Sequence, residues 1–431
     1  MDQAACRRDF AYIRDTIEAV HPRFLLEPIA EEWAARATAL ERTVADAGSL
    51  LHAAGLLTAW LGDGHTNLEL PFEPGICSDC LNLPCRWLGG PGAGYHLVVR
   101  RDAGPFRRGD ELLCVNTAPV EALFQRVSRE IPHESEAMAR DRSTGYPYVN
   151  DFLLSGFHLR ALCGPPPYRL TYVREGESRE EVAPLEPYGG CADFSPAEKS
   201  FAFCGETALL FLDECTADSE TAAFLESFFA QALSRGCRRL VLDLSRNPGG
   251  NSAVIAAFLR HLPAERYRTY GMLTREASGM RQACPRGGLA VNRHDGAVFS
   301  GDVLAVVSGR TFSSARTFAV TLGDNGLAKI AGAVMGGVPN SYGLPRRFRT
   351  PEGGYRFRVS TSLFLRPDSR RDHEASLSIA LPFPLGWDWE EGDRAGCLLR
   401  ALAAAEKRGR SDGRNRIFAG KPIKERKISP W

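Results

Sequence analysis

Two segments of the chain carry residue types and spacings suited to acyl-transfer chemistry: Leu240 to Gly250, reading LVLDLSRNPGG, and Val303 to Leu322, reading VLAVVSGRTFSSARTFAVTL. Each reads as a strand, a tight turn and a helix. The first carries two adjacent glycines beyond the carboxyl end of a buried strand, where bare backbone N–H groups can come close to a ligand. The second presents Ser313 and Ser314 at an equivalent strand-to-helix elbow. A hydroxyl nucleophile facing unhindered amide donors is what acyl transfer needs. Each half has a plainer reading. A serine pair before a helix is commonly an N-cap, so Ser313 could merely cap a helix opening at Ser314. Gly249 and Gly250 could mark a tight turn or a phosphate loop, although no GxxxxGKS sequence supports the latter.

Four stretches must position these residues. Residues 1–70 read as helical, with apolar positions at Phe10, Ile13, Ile17 and Val20, then at Trp33, Ala37 and Leu40. A third helix, Leu50 to Leu61, stops at Gly62 and Gly64 and delivers His65 into a strand from Thr66 to Leu70. Residues 71–195 read as β-rich, with strands at Tyr95 to Val99, Glu111 to Val115 and Tyr168 to Val173 and one helix from about Pro119 to Arg140. By position this is a substrate-side region. Residues 196–402 alternate strand and helix, which predicts a parallel or mixed sheet covered on both faces and makes the fold α/β. The tail, residues 403–431, is basic, without apolar periodicity, and reads as a disordered end.

Composition narrows the partners. The chain has 431 residues, 44% hydrophobic and 24% charged, with 53 basic against 52 acidic residues, so its net charge of +1 supplies no field directed at nucleic acid or a membrane. The amino-terminal residues lack the basic and apolar pattern of an export signal, and the apolar run Leu50 to Leu61 is too short to span a bilayer. The expected compartment is the cytoplasm. Twelve cysteines there predict free thiols. Cys77, Cys80 and Cys85 are spaced as three zinc ligands would be, against the plainer reading of a thiol-rich loop. The chemistry described here needs no metal or other cofactor.

The order DGHT (Asp63 to Thr66), LVLDLSRNPGG, TFSSARTFAVTLGDNGLAKIAG (Thr311 to Gly332) and GGVPNSYG (Gly336 to Gly343) resembles the C-terminal processing peptidases. These tail-specific proteases share a core with the tricorn protease. The likeness runs through most of residues 5–385 and implies a ClpP/crotonase-like α/β core. In that family the nucleophile lies at the elbow before the helix leading into a DNG turn, which implies Ser313 here. Ser314 would lend a backbone N–H to the oxyanion, and Gly249 or Gly250 would supply the second donor. Many members use a lysine base about twenty-five residues after the serine. That register falls near Val338 here, and Lys329, the only lysine near the elbow in sequence, is out of it. The tricorn-like branch uses a histidine from the amino-terminal region, and His65 matches its position, with Gly64 where that pattern has serine.

Histidine suits the substitution, because neutral imidazole accepts a serine proton near pH 7 without the desolvation a lysine base requires. His373 is the rival base. The resemblance places the orienting acid after a strand Tyr355 to Leu365, where Asp372 is nearer the register and Glu374 is the alternative. Asp63 reads as a turn or cap residue, and Asp243 with Arg246 as a structural ion pair, the alternative being a site for a peptide carboxylate. Arg107 to Leu123 is similar to part of a PDZ domain but lacks the upstream Gly-rich carboxylate loop, so any PDZ is rudimentary.

The resulting expectation is a serine endopeptidase, with Ser313, His65 and Asp372 as triad, acting on peptides or unfolded protein tails. Neither nucleic acid nor membrane is an expected partner, and a homo-oligomer is left open. A silent peptide- or ligand-binding member of the fold, and an esterase or cyclic-peptide hydrolase, are the alternatives.

Overall fold

Consecutive β-branched and apolar residues, bounded by turns, build a central sheet in the computed structural model, which describes residues 1–69, 78–90, 92–145, 152–188, 197–294, 296–388 and 392–411. Its strands run in the order Lys199–Cys204, Thr207–Leu212, Arg239–Asp243, Asp302–Val307, Lys329–Gly332 and Leu381–Pro382. Only the first pair is antiparallel; every other neighbour is parallel. A parallel sheet needs cover on both faces, which explains why Leu240, Val241 and Leu242 are all buried whichever way they point. One face packs against helices Ser219–Ser234, Ala253–Leu259 and Ser313–Asp324 through Phe228, Phe229, Phe258 and Phe318. The other packs against the carboxy-terminal helix Arg394–Ser411 through Leu398 and Leu402.

The amino-terminal helices Gln3–Val20, Ala30–Glu41 and Ala47–Ala59 form as their apolar spacing predicts. They bury Phe10, Ile13, Ile17, Trp33 and Leu50 against Phe357 and Val359 of the long strand Arg356–Leu365. That strand also pairs with Asn67–Glu69, directly after the DGHT turn, and with Gly271–Glu276 and Ser341–Arg349. The first helical layer is therefore fastened to a sheet formed late in the sequence. The middle region is a third sheet, built on Cys85–Gly90, Gly94–Val99, Glu111–Val115, Tyr168–Arg174 and Glu177–Ala183.

The single helix expected from about Pro119 to Arg140 is two helices, Val120–Val127 and Glu136–Arg142. Pro132 cannot donate into a continuing helical ladder, and Ser135 caps the second helix by accepting the Met138 N–H at 3.2 Å. The break puts Glu134 on an irregular segment that enters the site. Of the proposed zinc-spacing trio, Cys77 lies outside the described residues. Cys80 and Cys85 are buried in the core of the middle sheet.

Candidate active site

The elbow is held by its own polar side chains. After strand Asp302–Val307, the Thr311 hydroxyl donates to the Leu244 carbonyl at 2.7 Å and accepts the Ser308 N–H at 3.0 Å. The Ser308 hydroxyl donates to the Ser245 carbonyl, and Phe312 N–H reaches the Asn247 carbonyl at 3.1 Å. The serine elbow and the glycine turn are thereby locked to one another. Ser313 opens the helix with a φ of +51°, a left-handed backbone rare for a residue bearing Cβ and the kind of strain found at functional turns. The cap position is occupied by Phe312, which makes no side-chain capping bond. Ser313 is therefore not acting as the N-cap, and its Oγ lies 3.0 Å from His65 Nε2 instead. This juxtaposition closes 248 residues of sequence.

Gly249 is required by close approach. Its φ is +115°, and a Cβ there would sit 2.6 Å from Ser313 Cβ. Its N–H, however, donates to Asn247 Oδ1 at 2.8 Å, so it is not the free oxyanion donor. Gly250 fits that part better. The Gly249 carbonyl accepts from Cys215 N–H at 2.9 Å, and the trans peptide turns the Gly250 N–H to the opposite side. Among the described residues neither that N–H nor the Ser314 N–H donates to a protein acceptor. The Ser314 hydroxyl binds the Gly250 carbonyl at 2.7 Å and couples the glycine turn to the helix amino terminus. First-turn helix amides have no intrahelical acceptor and point toward incoming negative charge.

His65 is set by the DGHT turn. Asp63 Oδ1 accepts the His65 backbone N–H at 2.9 Å, and Oδ2 accepts from Thr66 Oγ1 at 2.6 Å, Ser360 Oγ at 2.6 Å and His21 Nε2 at 3.1 Å. His21 Nδ1 accepts the Arg23 N–H at 3.2 Å, which assigns its ring proton to Nε2. Burial pushes the Asp63 carboxyl up, but the hydrogen bonds from His21 and His65 outweigh it and hold the group well below the usual range. The His65 ring rests on Phe312 with centroids 4.3 Å apart. A Cβ at Gly64 would lie 2.8 Å from Phe312 Cζ and 2.7 Å from Met138 Cε, which accounts for glycine where the tricorn-like pattern has serine.

The expected triad acid is not at the histidine. Asp372 is engaged by Arg286, with Nη1 2.7 Å from Oδ2, and by Asn340 Nδ2 at 3.0 Å. The Arg286 guanidinium holds its carboxyl below the usual range. Glu374 pairs with Arg371 and Arg366 in a network around buried Asp324. Arg286 comes from the segment after strand Gly279–Cys284, and nothing near SRRDHEASL announces it. Among the described residues, the carboxylates within 4.0 Å of His65 Nδ1 are Asp63, at 3.7 Å, and Glu134, at 4.0 Å. Glu134 was missed because its segment reads as mid-helix; Pro132 and Ser135 were the available signals of a break. Asp243, with Arg394 at 3.0 Å, is a buried structural pair, and Arg246 lies 3.7 Å from Asp213.

Among the described residues, two clusters of three His, Asp or Glu side chains present nitrogen and oxygen atoms within 4.8 Å of one another. His52, Glu130 and His158 have a composition that could hold a cation; there His52 Nδ1 bonds Glu130 Oε2 at 2.7 Å and the ring stacks on Phe157. Asp63, His65 and Glu134 form the other. Four donors already occupy Asp63 and Ser313 faces His65 Nε2, so the polar atoms of this cluster are largely engaged with protein partners.

Residues 206–377 match peptidase family S41. No curated protein sequence matches the chain. Among solved structures, mature CPAF is similar at 13% identity and a TM-score of 0.67, covering 96% of this chain and 99% of that one. Mature CPAF complexed with lactacystin aligns at 15% identity and a TM-score of 0.66 over the same shares. At such identity the likeness is one of fold. It extends over the helical and middle regions as well as the central sheet.

Proposed function

We propose that this chain, whose residues 206–377 match peptidase family S41, is a serine endopeptidase in which Ser313 is the nucleophile and His65 the base. The observation that carries the reading is the 3.0 Å approach of Ser313 Oγ to His65 Nε2 beside the glycine turn. In the proposed cycle His65 takes the Ser313 proton as Oγ attacks the peptide carbonyl. The amides of Gly250 and Ser314 receive the oxyanion. His65 then returns the proton to the departing amine, and water, deprotonated in turn by His65, releases the acyl group. Gly249 holds the turn against the nucleophile, its N–H given to Asn247 Oδ1 and not to the oxyanion.

The substrates proposed are peptides and unfolded protein tails, with residues 71–195 on the substrate side. The PDZ-like segment contributes strand Glu111–Val115 and helix Val120–Val127 to that region, but without the Gly-rich carboxylate loop it does not by itself support a preference for chain ends. A cytoplasmic location is in keeping with the free thiols among the described cysteines, and no described helix is long and apolar enough to cross a membrane.

The test is mass spectrometry of denatured proteins and peptide mixtures incubated with wild type, Ser313→Ala and His65→Ala, with EDTA throughout. Cleavage by wild type, with losses of at least about 10³-fold in both variants, is expected for residues that act as one unit. Equal behaviour of all three would overturn the assignment and favour a silent binding member of the fold.

A further inference from the structure

We propose that Glu134 positions the catalytic imidazole, its Oε1 accepting the Nδ1–H of His65 in the working enzyme, in place of an acid from the Asp372 segment. This rests on the Ser313 and His65 reading and deepens it. Two buried polar atoms face each other across the ring without a hydrogen-bond partner: His65 Nδ1 and Glu134 Oε1, 4.0 Å apart. Unpaired buried polar atoms are rare because each forfeits its bond to water. A shift of about 1 Å would satisfy both, and catalytic hydrogen bonds are commonly long before substrate binds.

The rest of Glu134 is organised for this approach. Its side chain is 1% exposed, and Oε2 accepts the Val338 N–H at 2.9 Å, leaving Oε1 to turn toward the ring. Asp63 is nearer, with Oδ1 3.7 Å from Nδ1, but that oxygen is held by the His65 backbone N–H and Oδ2 accepts three further bonds that fix the turn, so Asp63 is tied in place where Glu134 Oε1 is not. Charged groups face Glu134 from each side: His65 and Asp63 from the DGHT turn, and Arg316 from helix Ser313–Asp324. Burial, with Asp63 nearby, holds the Glu134 carboxyl above its usual range, and Arg316, His65 and the Val338 N–H offset only part of that rise. When Nε2 takes the serine proton, a carboxylate at Nδ1 stabilises the resulting cation and fixes the ring. No proton passes to Glu134. Its task is to keep the Nδ1 proton in place, so that Nε2 carries the lone pair.

The experiment compares wild type with Glu134→Gln, Glu134→Asp and Glu134→Ala on one fluorogenic peptide across pH. Expected are a kcat about 10²-fold lower for Glu134→Gln, with KM within about twofold, and partial recovery in Glu134→Asp. Glu134→Gln also removes a negative charge beside the ring, so the acidic limb of kcat/KM moves to lower pH. A Glu134→Gln enzyme within about threefold of wild type, or one altered only in KM, would overturn the proposal. Because Glu134→Ala could fail to fold, proton NMR of the His65 ring in the Ser313→Ala protein supplies a second readout. The downfield Nδ1–H signal should be present and should vanish on adding Glu134→Gln; its persistence would count against Glu134. An inactive wild type would overturn the peptidase reading, while the NMR comparison would still decide the Glu134 contact.

Discussion

At the level of single residues, the site depends as much on absent side chains as on present ones. Gly249 combines a φ of +115° with a wall 2.6 Å away at Ser313 Cβ, so Gly249→Ala faces both backbone strain and a collision with the nucleophile. We expect a stability loss of about 1–3 kcal/mol from the strained backbone. We also expect a kcat loss of about 10²-fold, because a displacement of about 1 Å at a reacting atom can have that effect. Thermal unfolding and steady-state kinetics on the same preparation check both. Gly64→Ser separates packing from chemistry in the same way. Its Cβ would enter the space of Phe312 and Met138, and the variant should lose activity through a tilted His65 ring even though it restores the serine of the tricorn-like pattern. Higher activity in Gly64→Ser would show that glycine is not there for space.

Secondary elements explain why part of the site was legible in sequence and part was not. The glycine turn and the serine elbow are strand-to-helix joints whose residue types and spacing are local, and Leu240 to Gly250 and Thr311 to Ser314 lie where the pattern predicts. His65 was legible through the resemblance at the DGHT turn; the preceding helix stops at Ala59, two residues before the expected Leu61, and of the two glycines read as caps only Gly62, at φ +61°, is left-handed. The carboxylates were not legible. Asp372 is claimed by Arg286, 86 residues away in sequence, while Glu134 arrives through a broken helix. Both outcomes depend on pairings between distant segments that carry no local signature. The DGHT turn also makes a pH prediction. The Asp63 carboxyl is depressed in the folded state, so its stabilisation is fully present above the unfolded value of about 3.9 and is lost as pH falls through the folded value. Asp63→Asn should therefore lower the melting temperature most at neutral pH, by an amount reflecting about 3–5 kcal/mol for a broken buried charge network, with the gap to wild type closing in acid. A pH-independent gap would show that the turn needs the shape of Asp63 and not its charge.

Across the whole molecule, three stretches far apart in sequence meet at Ser313, and buried polar contacts hold them in register. Asp141, on helix Glu136–Arg142 of the middle region, receives the guanidinium of Arg310 from the serine elbow, with Arg310 Nε 2.9 Å and 2.8 Å from the two carboxylate oxygens. Next to it Arg142 donates to the Gly64 carbonyl at 3.1 Å and so touches the histidine turn as well. One short helix thus links the elbow, the DGHT turn and the substrate-side sheet. Arg310 and Asp141 are both buried, with side chains 2% and 8% exposed, beside the Arg86–Asp388 pair, so removing one partner unbalances a charge cluster that water reaches poorly. Asp141→Ala should therefore destabilise the protein by about 3–5 kcal/mol, while the paired replacement Asp141→Leu with Arg310→Met should recover most of the loss, because apolar groups of similar volume often substitute for a buried ion pair. Activity should separate from stability in the double variant. If the pair holds the elbow in register with the histidine turn, the refolded double variant keeps its melting temperature but loses kcat. If kcat recovers together with the melting temperature, the pair contributes to packing alone, and the hydroxyl contacts of Thr311 and Ser308 suffice to hold the nucleophile.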